Sequence, residues 1–459
     1  MRREVSGRVT LNPRLQNYCR VLTLTLPDTS LLIYTMITPV PEIPGVKIPE
    51  GQQLMFLREH VRDLCRLRSL RFPGAQPVSF TSKSLDLLLS KDFWVCEKSD
   101  GLRVLVLIVV PPATGQQEVY LIDRKNNYYQ VHNIVLPHYD PKSPAAAATS
   151  GLLTNTILDG ELVIDRIGPN KTKLRLLLFD CLVFHGDNIM RRPLGRRYAR
   201  LRSHLLPPYQ SYLKNNKMAK VNSPFEVQVK AMDLAYGIET VFRHRMRHLE
   251  HQSDGLIFTC FMSGYTPGTD QKILKWKPPH ENTIDFKLQL RFPPDLEKDP
   301  TGATPNYTAK PFFLLLQHVT GEEHEPFDYL DMSNREWERW KKSGEQLDDR
   351  IVECAWHTPA ANNPHECTWH ITRIRDDKQY ANHKSTVNRI LESIKDGVTQ
   401  EELIEMAPAI RTAWKTTERE AAREKTGAAK THILARMCKG GGGPGAPMTR
   451  GGMPGIVRR

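Results

Sequence analysis

Six short segments of this chain carry side chains that could do chemistry, and they follow one another at sensible spacing. The first is Glu97-Lys98-Ser99-Asp100-Gly101-Leu102-Arg103, set between Phe93-Trp94-Val95-Cys96 and an apolar run. It places a lysine on a tight, glycine-assisted turn that points from a rigid sheet edge into a cleft. Such an amine becomes a nucleophile once it loses a proton that, at a pKa near about 10.4, it holds at neutral pH. The second segment, Leu158-Asp159-Gly160-Glu161-Leu162-Val163, is an acidic turn between apolar strands, and the third, Leu178-Phe179-Asp180, offers an aromatic face. The fourth is Ser253-Asp254-Gly255-Leu256-Ile257-Phe258. In the fifth, Leu274-Lys275-Trp276-Lys277-Pro278, the two lysines alternate along a strand and so share a face. In the sixth, which runs from Trp369 to Lys378, Arg373 and Arg375 do the same. Each segment alone has a plain explanation as a polar turn, a hairpin or a core aromatic. The whole ordered set does not.

The elements that must position these residues are mostly short strands from Phe93 to Phe286. Val104 to Val110 is a continuous apolar run. Val119 to Arg124 and Tyr128-Tyr129 read as a hairpin around Lys125-Asn126-Asn127. Thr156 to Ile164 and Leu174 to Phe184 are two further strands. Upstream, Leu54 to Leu67 has Leu57, Val61 and Leu64 on one helical face, followed by a loop, Phe72-Pro73-Gly74-Ala75-Gln76-Pro77. Pro278-Pro279 marks a joint. Beyond it Asp285 to Leu290, Phe312 to His318, Ile351 to Trp356 and Trp369 to Ile374 read as β, and Ser385 to Ile394 and Gln400 to Trp414 as helices. The division expected is a leader at 1–38 without function, a mixed unit at 39–283, a β-rich unit with a C-terminal helix at 284–400, a helical basic extension at 401–438 and a disordered Gly-rich tail at 439–459.

The 459 residues suffice for two or three domains, and 40% of them are hydrophobic, so a sizeable core is available. Lys plus Arg outnumber Asp plus Glu by 64 to 51, a formal charge of +13 that favours a polyanionic partner. The eight cysteines show no metal-ligand spacing and fit a reducing compartment. No stretch reads as a membrane span: the best, Val21 to Ile37, is broken by Pro27 and Asp28.

Together the six segments resemble the covalent nucleotidyltransferase superfamily of DNA ligases, RNA ligases and mRNA capping enzymes, from about Ile43 to about Asp396. Arg373-x-Arg375-x-Asp377-Lys378 is the capping form of the sixth segment. Asn282-Thr283-Ile284-Asp285-Phe286, Phe72 to Ser79 and Asn382 to Val387 also look like fungal-type capping enzymes. The fold this resemblance implies is α+β: a nucleotidyltransferase domain of antiparallel sheets and helices, then an OB-fold β-barrel.

The implied activity is an mRNA guanylyltransferase. GMP passes from GTP to Lys98 and then to the 5′-diphosphate end of RNA. Lys275 and Lys277, with a divalent metal, disfavour the charged form of Lys98 and neutralise the α-phosphate. Glu161 and Arg103 hold the ribose, Arg124 holds phosphate, and Phe179 stacks on guanine. Asp254 serves the metal, Mg²⁺ or Mn²⁺. Arg373, Arg375, Asp377 and Lys378 reach the β,γ-phosphates only when a second domain closes. Lys230 either reads the guanine edge or is a solvent-facing strand lysine. The chain has no Cys-x-x-Gly-x-x-Arg loop, and the stretch before Lys98 is short, so the resemblance implies a separate RNA 5′-triphosphatase partner. It also implies docking to the phosphorylated tail of RNA polymerase II, in the nucleus. Six arginines between Arg191 and Arg202 either contact phosphates of RNA or of that tail, or form a solvated helix face. The rivals are an ATP-dependent polynucleotide ligase and a non-catalytic nucleotide- or RNA-binding module. The intact set Lys98, Glu161, Asp254, Lys275 and Lys277 argues against the second.

Overall fold

The computed structural model describes residues 41–138, 151–168, 170–357 and 368–425. The expected leader at 1–38, the end of the extension at 426–438 and the tail at 439–459 lie outside them.

The strands, in chain order, are β1 (Val46–Lys47), β2 (Ala75–Ser79), β3 (Phe93–Ser99), β4 (Leu102–Val109), β5 (Glu118–Ile122) and β6 (Tyr128–Val131). There follow β7 (Thr156–Gly168), β8 (Lys171–Phe184), β9 (Asp187–Asn188), β10 (Glu226–Val229), β11 (Asp233–Leu234), β12 (Ser253–Cys260) and β13 (Gly268–Trp276). The last are β14 (Thr283–Arg291), β15 (Phe312–Thr320), β16 (Glu323–Leu330), β17 (Ile351–His357) and β18 (Thr368–Ile374). They form an eight-stranded sheet in the order β1-β6-β5-β4-β7-β8-β10, with β9 paired to β8, and a five-stranded sheet in the order β11-β3-β12-β13-β2. A closed barrel, β14-β15-β16-β18-β17, completes the fold, with the strand number and closure of an OB-type domain.

Neighbours in the sheets are mostly antiparallel, as the sequence implies. The exceptions are β8 with β10, β13 with β2 and β16 with β18, which run parallel. Parallel neighbours need a long crossover. Between β8 and β10 that crossover is helical, with helices at Leu194–Arg200, Leu206–Asn215 and Lys217–Asn222. The stretch is therefore less uniformly β than its sequence suggests. Pro207 and Pro208 follow a π-helical stretch, Leu201–Leu205, that joins the Leu194–Arg200 and Leu206–Asn215 helices, and the widened turn stands where two residues without an N–H interrupt the hydrogen-bond ladder.

Helix α1 (Gln52–Cys65) buries Leu54, Leu57, Val61 and Cys65 and ends at Arg66, whose φ is 55°. The supposed loop after it is partly a strand: Ala75–Ser79 pairs with β13 and admits Pro77 because it is a sheet edge. The C-terminal helices do not extend away from the body. Val398, Leu403 and Ile410 are buried with Phe258, Leu274 and Trp276 of the five-stranded sheet, at roughly 2 kcal/mol per fully buried aliphatic side chain. The Trp276 indole N–H donates to the Val398 carbonyl at 2.7 Å. Farther on, Arg423 donates to Asp92 at 2.8 Å.

Candidate active site

Lys98 stands near the end of β3, and the turn after it carries the chain from one sheet to the other, since β3 and β4 belong to different sheets. Gly101 is required at that crossing because a Cβ there would collide with the Leu162 carbonyl oxygen. The facing strand, β12, loses register against β3 between Ser253 and Leu256. That bulge spans Asp254 and Gly255; Gly255 has φ +146° and lies too close to the Trp276 carbonyl to carry a side chain. The bulge turns Asp254 toward Lys98. The Lys98 ammonium donates to Asp254 Oδ1 at 2.5 Å, and Lys277 reaches Oδ2 of the same carboxylate at 2.6 Å. Burial raises the Asp254 carboxyl, but the charges of Lys277 and Lys98 outweigh it and hold the group below its usual range. Lys275 is pushed below its ordinary value by burial and by Lys277, Lys98 and Arg124. The cations therefore crowd one another around a single carboxylate.

A cavity of about 360 Å³ opens beside this cluster, lined by Lys98, Arg103, Arg124, Glu161, Phe179 and Lys230 among others. Arg103 does little of its work toward the cavity. Its Nε donates to Asp159 Oδ1 at 3.0 Å and its Nη2 to Asp159 Oδ2 at 2.6 Å and to the Tyr265 hydroxyl at 3.2 Å, while Nη1 donates to the Ala75 carbonyl. One Nη1 hydrogen is left over. The guanidinium also lies 5.7 Å from the centre of the Phe179 ring.

Lys230 is buried, which decides against a solvent-facing lysine. Its ammonium donates to Ser99 Oγ at 2.7 Å and lies 3.7 Å from both Glu97 and Glu161. Burial would lower its pKa, but Glu97, Cys96 and Glu161 more than offset this and leave it raised. Burial lifts Glu161 above the usual carboxylate range against the pull of Lys230, Lys98, Arg103 and Arg124.

Arg373, Arg375, Asp377 and Lys378 are not among the residues lining this cavity. They lie on the barrel, matched to its own acids. Arg375 donates to Asp285 at 2.9 Å and to both Asp377 oxygens at 2.8 Å; Lys378 pairs with Asp285 and Arg373 with Glu353.

Sequence reasoning missed Asp159 and Tyr265, which lock Arg103. Asp159 had a signal, standing two residues before Glu161 on one strand; Tyr265, 106 residues away, had none. It also missed Asp180, which holds Arg197 at 2.8 and 2.9 Å. Arg197 is 1% exposed, so it leaves the supposed arginine surface of 191–202 and serves the core.

Among the described residues, no helix is long and apolar enough to cross a membrane. The catalytic-domain model of mRNA capping enzymes matches residues 40–279, and that family's C-terminal-domain model matches residues 281–404. The mRNA-capping enzyme subunit alpha of Neurospora crassa is 39% identical over 394 residues, covering 82% of this chain and 94% of that protein. The Saccharomyces cerevisiae subunit alpha is 38% identical over 410 residues, covering 82% and 87%. The mRNA-capping enzyme of Caenorhabditis elegans is 27% identical over 369 residues, covering 79% of this chain and 53% of that protein. By fold, by the order of its motifs and by this similarity along most of its length, the chain belongs to the mRNA capping enzyme family.

Proposed function

We propose that this chain is the guanylyltransferase of mRNA capping and that Lys98 carries the GMP. The observation that supports it is Lys98 sharing the Asp254 carboxylate with Lys277, beside a nucleotide-sized cavity walled by Glu161, Arg103 and Phe179. In the first step the Lys98 amine, having given up a proton, attacks the α-phosphorus of GTP. A P–N bond forms, the bond from the α-phosphorus to its bridging oxygen breaks, and pyrophosphate leaves. In the second step a terminal oxygen of diphosphate-ended RNA attacks the same phosphorus. The P–N bond breaks and Lys98 recovers a proton. Lys275 and Lys277 stabilise the charge that gathers on phosphate oxygens in both steps.

Phe179 offers guanine a ring face. Lys230, held by Ser99, is the donor for the guanine edge. Glu161 and the free Nη1 hydrogen of Arg103 reach the ribose, and Arg124 takes phosphate. Arg373, Arg375 and Lys378 exchange their carboxylate partners, Asp377 among them, for the β,γ-phosphates when the barrel closes on the site.

Among the described residues no three His, Cys, Asp or Glu side chains group to hold a metal ion. One carboxylate, Asp254, suits Mg²⁺ or Mn²⁺, hard cations that draw their other ligands from phosphate and water. Such a cation supplies charge neutralisation at the phosphates. Asp254 would hold such a cation from the position where its carboxylate now meets Lys98 and Lys277.

The relatives are named as alpha subunits, which supports a partner subunit; we assign it the RNA 5′-triphosphatase activity. Docking to the phosphorylated tail of RNA polymerase II and residence in the nucleus complete the reading. The test is incubation with labelled GTP and a divalent cation, then a denaturing gel. Wild type is expected to carry label from GTP and none from ATP. Lys98→Arg, which keeps its charge at working pH, should carry none. Label from ATP would turn the reading toward a ligase, and label on Lys98→Arg would remove Lys98 as nucleophile.

A further inference from the structure

A second cleft, of about 730 Å³, adjoins the active site and shares two of its walls. Arg124 lines both, and at β2 Gln76, with Gly74 just before the strand, lines this cleft while Ala75 and Pro77 line the nucleotide cavity. The cleft is basic. Arg58, Arg71, Arg124 and Lys125 line it, and Arg66 and Arg68 stand exposed on the segment that leads to Arg71. Among the described residues, Arg66, Arg68, Arg71, Arg124 and Lys125 form no ion pair and no side-chain hydrogen bond. Of the nearby acids, Glu50 pairs with Arg58 of the cleft at 3.2 Å, whereas Asp123 is taken up by Asn127 at 2.8 and 2.9 Å, which leaves the other cations unmatched. The walls are clamped together as well. Asn126 donates to the Leu70 carbonyl at 2.8 Å and accepts from Arg58 at 3.3 Å through its own carbonyl. Met55 and Phe72 add apolar surface to the lining.

Unpaired cations held apart on a fixed frame are matched to an extended polyanion. Apolar surface among them suits the bases of a single strand. We propose that this cleft is the track for the acceptor RNA. Arg71 and Lys125 bind phosphates of the first nucleotides, Arg66 and Arg68 continue the path outward, and Arg124 hands the 5′ diphosphate to Lys98-linked GMP. The inference rests on the guanylyltransferase reading. RNA is favoured over an acidic peptide because Arg124 lines both this cleft and the cavity where the RNA end must react.

The test uses the full chain with Arg71→Ala/Lys125→Ala. Adduct formation with GTP is expected to match wild type, which also shows that the variant folds. The KM for a long diphosphate-ended oligoribonucleotide should rise about tenfold, and its salt dependence should flatten by about 1.4, or about 0.7 for each lost phosphate contact. A diphosphate-ended dinucleotide, too short to occupy the track, should be capped as by wild type. An equal loss with both acceptors, or an unchanged KM for the long one, overturns the track. So does a loss confined to binding of a phosphorylated peptide. Fluorescence anisotropy with the same long RNA decides the cleft independently: if wild type formed no GMP adduct, the guanylyltransferase reading would fall, yet a tenfold weaker RNA affinity in the variant would still support the cleft.

Discussion

Two regions of this molecule set cations against carboxylates, and they do so to opposite ends. Around Lys98, one aspartate serves two lysines, while close by Lys275 is held down by burial and by Lys277, Lys98 and Arg124, and Arg124 by burial and by Arg103. On the barrel the acids suffice: Arg375 meets Asp285, Glu353 and Asp377, Lys378 meets Asp285, and Arg373 meets Glu353. The first region has positive charge to spare and a cavity to turn it toward. The second is internally neutralised and stands apart from that cavity. A site short of counter-charge awaits an anionic ligand, whereas a balanced site must be paid in broken ion pairs before it can bind one. This difference suits a reaction whose first step needs a grip on the leaving pyrophosphate and whose second step needs that grip released.

The largest effect should come from the frame beneath the first region. Asp159→Ala leaves the Arg103 guanidinium buried without its partner, which costs about 3–5 kcal/mol by denaturant unfolding and abolishes the adduct. Arg103→Met/Asp159→Leu should regain much of that stability and still form little adduct. Recovery of both together would mean that Arg103 serves only the fold.

Next is Arg375→Ala. Transfer from GTP to Lys98 should slow about a hundredfold, the scale of a lost transition-state donor. Enzyme–GMP loaded by long incubation and then purified should pass its GMP to diphosphate RNA at nearly the wild-type rate. Equal damage to both steps would make the barrel residues part of the RNA end's site. An unimpaired first step would end the closure account.

The smallest effect is on the barrel's own balance. Hydrogen bonds from Arg375 hold the Asp377 carboxyl down to about 2. A group whose folded pKa lies below its unfolded value adds stability that is present above the unfolded pKa and lost as pH falls through the folded one. That loss should fall between about pH 4 and about pH 2. Asp377 is 65% exposed, so the contribution is under about 1 kcal/mol. Asp377→Asn should lower the denaturant midpoint slightly at about pH 7 and by about half as much at about pH 3. The same gap at both values would show that the pair does not titrate as described.

Much of the site could be read directly because its parts are local. Lys98 with its following glycine, Asp254-Gly255 and the alternation of Lys275 with Lys277 each lie within a few residues, and short-range backbone geometry decides how they are presented. Four of the five barrel strands were legible for the same reason, since alternation and apolar runs belong to single strands; β16 was not, because Glu323–Leu330 is acidic, contains Pro326 and carries no apolar run. The helical crossover after β8 was harder, because it is built of short α-helical pieces joined by a π-helical stretch, with no long amphipathic repeat to announce it. β2 was hidden because a strand that borrows its hydrogen bonds from β13 need not announce itself in its own residues.

The amino-acid sequence by itself determined the family and the succession of the six motif segments and singled out Lys98 as the candidate nucleophile, all of which depend on residue type and near spacing. Only the tertiary structure decided how charge is distributed among them. Arg103 is tied to Asp159 and Tyr265, Arg197 is withdrawn into the core by Asp180, Lys230 is sunk between Glu97 and Glu161, and Arg375 is held by its own barrel. A charged side chain buried in a protein must find its partner in space. The partner is set by which strands become neighbours, and that is a property of the whole chain.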